Sequence, residues 1–91
     1  MTYRLSDMTK SNLSEIWDYI AADSISAANE TALRIFAGIE QLVQFPRSAR
    51  AGLVEGTREL VIAPYRITYE INDDVIEILS VVHDKRRSLP S

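Results

Sequence analysis

The residues of this 91-residue chain best suited to chemistry lie in its second half: Arg58, Arg66, His83, Lys85, Arg86 and Arg87, with Glu55 and Glu59 nearby. Such a set meets the needs of metal-free RNA cleavage. A base takes the 2′-hydroxyl proton, an acid protonates the leaving oxygen, and arginines stabilise charge at the phosphorane. His83, with an intrinsic pKa of about 6.5, suits either proton role. Each feature also has a plainer reading. A lone histidine at a strand end is more often capped or exposed, and "DKRR" before the terminal "SLPS" is more often a solvated tail.

Other chemistry can be set aside. No GxGxxG, Walker loop, HExxH or GxSxG occurs, so dinucleotide and metal-peptidase sites are not expected. A single histidine and no cysteine rule out a multi-histidine metal cluster, a cysteine zinc site, a thiolate nucleophile and a disulfide framework. Neither a cofactor nor a metal is therefore expected. Glu70 and Glu77 fall opposite each other in the strand reading below, but paired acids on a strand are usually solvated.

Charge argues further against an extended nucleic-acid surface. The chain carries a net charge of −3 with a pI near 5.0, whereas phosphate neutralisation supplies most of the affinity of a nucleic-acid binder. The deficit sits in residues 1 to 45, where Arg4, Lys10 and Arg34 face Asp7, Glu15, Asp18, Asp23, Glu30 and Glu40. At most a local basic patch remains near the end. With 46% apolar and 25% charged residues the composition is that of a globular protein. Its length fits one domain, residues 1–91. The apolar runs fall short of the roughly 18 to 20 residues that span a bilayer, and "MTYRLSDMTK" lacks the apolar core of a secretory signal. A cytoplasmic protein with no membrane contact is expected.

Periodicity supplies the elements that must position these residues. "TYRLS" reads as a short strand, with Tyr3 and Leu5 alternating against Arg4. Leu13, Ile16, Trp17 and Ile20 form one stripe of an amphipathic helix, with Asn12 and Glu15 as a capping-box variant unless the helix starts earlier. Asp23 or Ser24 caps a second helix, whose apolar face collects Ile25, Ala28, Ala32, Ile35, Phe36, Ile39, Leu42 and Val43 before Pro46 ends it. The short link makes the two helices antiparallel neighbours, and Gly38 marks a close contact.

After the polar linker "PRSARAGLVEG" the period changes to two. Thr57–Ile62, Tyr65–Ile71 and Val75–His83 read as strands, and "NDD" at 72 to 74 is a hairpin turn. The fold class is α+β: an N-terminal strand, a helical hairpin, then a three-stranded antiparallel meander forming one sheet.

If Asp73 and Asp74 are the central turn residues, partners across the last hairpin sum to about 147, as strand geometry requires. Tyr65, Ile67, Tyr69 and Ile71 then face the helices beside Val82, Ser80, Ile78 and Ile76. Arg66, Thr68 and Glu70 share the other face with Val81, Leu79 and Glu77, and His83 lies diagonal to Arg66. A three-residue turn reverses this parity. The second face, mixing arginine with Leu79 and Val81, has the composition of a docking surface; the plainer reading is a half-solvated sheet. The face of Arg58 depends on the turn at Ala63 and Pro64, and Arg58 could pair with Glu59 or Glu70 as structural trim.

The combination "YRL", "LSEIWDYI", a long second helix running into "FPR", "GTREL", "YRITYEI" and "IEILSVVHDKRR" resembles toxins of the RelE/ParE superfamily of type II toxin–antitoxin systems. The resemblance covers nearly the whole chain in the right order. It implies a compact toxin neutralised by a cognate antitoxin, with a segment that folds on binding and DNA contacts made mainly by the antitoxin. The adjacent reading frame is then expected to encode a DNA-binding head and a disordered tail.

Two activities compete in that superfamily. RelE-like members cut mRNA on the ribosome, and in that case Arg66, His83, Arg58 and Arg86 are the catalytic candidates. ParE-like members poison DNA gyrase. The low pI, the lack of a basic cluster between residues 45 and 60 and the "GTREL" signature favour the ParE-like side. Asp84, Lys85, Arg86 and Arg87 also replace the aromatic residue that nucleases often carry after the last strand. The favoured reading is a growth-inhibiting ParE-like toxin that contacts its antitoxin or target through Arg58, Arg66, Leu79, Val81, Lys85, Arg86 and Arg87. The alternatives are a ribosome-dependent mRNA endoribonuclease and a non-toxic protein-binding module.

Overall fold

The structure is a computed structural model, and residues 1–84 are described. The candidate residues Lys85, Arg86 and Arg87 lie outside that range. In chain order the elements are β1 (Thr2–Leu5), α1 (Asp7–Ala21), α2 (Ile25–Gln44), β2 (Arg50–Ala51), β3 (Arg58–Ile62), β4 (Tyr65–Asn72) and β5 (Val75–His83). The strands form one mixed sheet in the order β1-β5-β4-β3-β2, with β1 parallel to β5 and the other pairs antiparallel. This is the expected α+β arrangement, with β1 as a fourth neighbour of the meander and β2 as a two-residue addition from the linker.

The helices begin at local caps. Ser6 accepts the Thr9 N–H at 3.0 Å and so starts α1 earlier than Asn12, which lies within the helix. Ser24 accepts the Ala27 N–H at 3.1 Å and starts α2. Gln44 is the last residue of α2, two before Pro46. From α2, Ile35, Ile39 and Leu42 are fully buried against Ile67 and Tyr69 of β4 and Ile76, Ile78 and Val81 of β5. Gly38 does mark a close approach: a Cβ there would lie 2.8 Å from Ile62 Cδ1 and 3.2 Å from Leu60 Cδ2. Ile25, the first helical residue, departs from the expected face and is exposed.

The last hairpin follows the expected register for half its length. Asn72–Val75, Ile71–Ile76, Glu70–Glu77 and Tyr69–Ile78 pair as the two-residue turn requires, with Asp73 in the left-handed region at φ 55°. A bulge at Leu79 then shifts every later pair by one, giving Thr68–Ser80, Ile67–Val81, Arg66–Val82 and Tyr65–His83. The expected assignments of Ser80 and Val82 to the core and Val81 to the outer face are therefore corrected. Packing decides the shift: burying a valine gains about 1.5–3 kcal/mol, whereas burying an unpaired hydroxyl costs about 1–3 kcal/mol. Val81 is 1% exposed and belongs to the core.

Candidate functional site

The bulge separates the two residues on which a nuclease would depend. Tyr65 faces the core and pairs with His83, whose ring meets the phenol edge-on at a centroid distance of 5.6 Å. Arg66, the next residue on β4, points to the opposite face beside Val82. The expectation that Arg66 and His83 share a face is overturned. No single substrate atom on one side of the sheet can meet both side chains.

On the face away from the helices, Arg66 is held between two carboxylates. Its Nη1 lies 2.8 Å from Glu59 Oε1 on β3, and its Nε donates to Asp84 Oδ1 at 2.8 Å, with Nη2 also on Asp84. Arg50 of β2 adds a longer contact to Glu59, 3.6 Å. One ionic cluster thus links β2, β3, β4 and the residue that follows β5. The hydrogen bond that Arg66 donates to Asp84, with help from Glu59 and against the effect of burial, raises the Arg66 pKa above its ordinary value. Arg66 therefore acts as a permanent cation and has no proton to give. Its side chain is only 19% exposed, which fits a brace better than a free anion receptor.

Arg58 stands on the other side of β3, paired with Tyr69. Its Nη1 donates to the Ala49 carbonyl at 2.9 Å and to the Arg47 carbonyl at 3.3 Å, while the Tyr69 hydroxyl donates to the Pro46 carbonyl at 2.7 Å. Together they anchor the α2–β2 linker to the sheet. Leu79, the extra residue of the bulge, is partly exposed, so of the expected aliphatic pair it alone keeps access to solvent. Among the described residues, no three His, Asp or Glu side chains are grouped so as to hold a metal ion, and no helix is long and apolar enough to cross a membrane.

A concave surface lies elsewhere. A groove of about 620 Å³ runs between the second half of α1 and the far end of β5, bounded by Glu15, Ile16, Tyr19 and Ile20 on one side and by Val82 and His83 on the other. Sequence periodicity places Ile16 and Ile20 on an inward stripe, but it carries no signal that β5 outruns its neighbour β1 and leaves this cleft. It also gives no sign that Ser6, Thr9 and Asn12 serve the sheet. Thr9 Oγ1 donates to the Ile78 carbonyl at 2.7 Å, Ser6 Oγ to the Leu79 carbonyl at 3.0 Å, and Asn12 Oδ1 accepts the Val81 N–H at 3.0 Å. Their spacing of three on one helix face is the only trace of this role.

Comparison with known proteins places the arrangement. Residues 3–88 match the family described as ParE toxin of type II toxin-antitoxin system, parDE. A candidate toxin of Sinorhizobium fredii, Y4kP, is 45% identical over 73 residues, covering 78% of this chain and 75% of that protein. Toxin RelE2 of Caulobacter vibrioides is 31% identical over 75 residues, covering 82% and 85%. Among solved structures, a chain of the chromosomal ParDE system from P. aeruginosa superposes with a TM-score of 0.80 at 20% identity, covering 91% of this chain and 95% of that one, a likeness of fold. A chain of the toxin–antitoxin complex RelBE2 from Mycobacterium tuberculosis has a TM-score of 0.60 at 25% identity, covering 90% and 95%.

Proposed function

The chain belongs to the ParE toxin family of type II toxin–antitoxin systems, and we propose that it inhibits growth by poisoning DNA gyrase and is neutralised by a cognate antitoxin. The observation that carries this reading is the position of Arg66 and His83 on opposite faces of the sheet, with Arg66 braced by Glu59 and Asp84. A ribonuclease needs its proton-transfer group and its charge-stabilising group around one phosphate. Here the two do not converge. An inhibitor that works by binding needs no such convergence, and the pI near 5.0 is poorly suited to holding ribosomal RNA and mRNA.

An antitoxin partner is supported by the structural neighbours, which come from toxin–antitoxin systems. DNA contact by the pair is then made mainly by the antitoxin. The test uses purified protein in two assays. Gyrase supercoiling is expected to be inhibited, or cleaved DNA trapped, while mRNA on programmed ribosomes stays intact. Codon-positioned cuts in mRNA that disappear on His83→Ala would overturn the proposal in favour of the RelE-like endoribonuclease. Inactivity in both assays, with growth unaffected on expression, would favour a non-toxic binding module.

A further inference from the structure

The β2–β3 connection is a short hairpin that carries apolar side chains outward. At its base Arg50 and Ala51 pair with Glu59 and Arg58. Above them the backbone closes on itself: the Gly52 N–H donates to the Thr57 carbonyl at 2.8 Å, and the Thr57 N–H and hydroxyl both donate to the Val54 carbonyl, at 3.0 and 2.6 Å. Gly56, at φ 87°, supplies the left-handed step that this turn needs. Yet the closed turn leaves its two aliphatics in solvent. Leu53 is 77% exposed and Val54 68%, and Leu53 is the most exposed large apolar side chain among the described residues.

We propose that this hairpin tip is the element that docks on gyrase, with Leu53 and Val54 entering an apolar pocket whose rim carries acidic side chains. The inference rests on the gyrase reading above and specifies which part of the toxin meets the target. A preorganised, protruding tip is complementary to a preformed pocket in a folded partner, and a segment that folds only on binding has no such pocket to offer. Leucine and valine present no flat face on which a base could stack, which selects protein over nucleic acid. Charge sets the orientation. Arg47, whose carbonyl is held by Arg58, and Arg50 are exposed next to the base of the hairpin, against Glu55 alone. The helices and their link expose six acids against Lys10 and Arg34. An acidic rim therefore attracts the hairpin and repels the helices, turning the tip toward the target.

The test is inhibition of gyrase supercoiling by purified Leu53→Asp, set against Leu33→Asp, which puts the same charge on a leucine of α2 that is 72% exposed. Leu53 is the better probe than Val54, because Val54 also borders the groove beside α1. Leu53→Asp is expected to raise the concentration needed for inhibition about tenfold. Its melting temperature and its binding to the product of the adjacent reading frame are expected to stay unchanged. Leu33→Asp is expected to inhibit as the parent does. Arg47→Glu is expected to weaken inhibition more at low salt than at high salt; unchanged inhibition at low salt overturns the acidic rim. Full inhibition by Leu53→Asp, or an equal loss with Leu33→Asp, overturns the hairpin assignment and leaves the gyrase reading standing. Weaker binding of the adjacent product by Leu53→Asp with gyrase inhibition intact makes the antitoxin the occupant and also overturns it. A parent protein that leaves gyrase active overturns the gyrase reading and this inference together.

Discussion

Arg66 Nη1 stands 2.8 Å from Glu59 Oε1, and the glutamate side chain is 3% exposed. A carboxylate so enclosed depends on its partner, because stripping one member of a buried pair leaves a charge without compensation. Arg66→Met is therefore expected to lower the melting temperature by several degrees, and by more than Arg50→Met, whose contact is longer and whose side chain is 57% exposed. Arg66→Met combined with Glu59→Met is expected to recover most of the loss. Thermal denaturation of the three variants checks this; a double variant no more stable than Arg66→Met refutes the brace.

Asn12→Ala removes the acceptor of the Val81 N–H at a point where the β1-side edge of β5 has no strand beside it. A loss of about 1–2 kcal/mol is expected. Asn29→Ala removes only an exposed contact with the Trp17 indole and is expected to cost less than about 0.5 kcal/mol. Urea denaturation of both variants measures the difference.

Hydrophobic periodicity and turn chemistry locate most of this fold, but the site depends on a feature they do not mark directly. Val75–His83 is bounded correctly from sequence and "NDD" fixes the turn, so the pairs nearest the turn follow. The bulge at Leu79 has no glycine or proline to announce it. Its signal is the apolar pattern itself. Ile76, Ile78 and Val81 can share the core only if one residue is skipped, whereas uninterrupted alternation would send Ser80 inward and Val81 outward. That single skipped residue moves His83 away from Arg66. Glu59 as the counter-ion of Arg66 is likewise hidden, because it requires the β3–β4 register that the turn at Ala63 and Pro64 sets.

Gly38 faces Ile62 and Leu60 at distances that leave no room for a methyl group. Gly38→Ala gains about 1 kcal/mol of helix propensity, against an overpacking cost of about 1–3 kcal/mol. A net loss is expected. In an Ile62→Val background, which removes the nearest atom, the same substitution is expected to cost less. A double-mutant cycle by urea denaturation reads the coupling, and strict additivity would refute the contact.

Burial raises the Tyr69 phenol above its ordinary pKa, with Arg58 and Arg47 pulling it back in part. The unfolded phenol ionises near pH 10, so above that pH the folded state holds the proton that the unfolded state releases. The Tyr69 contribution is complete below about pH 10 and is lost as pH rises through the higher folded value. Tyr69→Phe is expected to reduce this alkaline loss while costing about 1 kcal/mol at neutral pH through the missing bond to Pro46. Urea midpoints at neutral and strongly alkaline pH, compared between the two proteins, check the sign.

The parallel pairing of β1 with β5 joins Tyr3 to Ile76, so β1 stays without its neighbour until the intervening elements and β5 have been made. A chain cut short before Val75 leaves β1 with no strand to pair with and β4 paired only with β3. The sheet is thus joined in a single step, as β5 enters between β1 and β4.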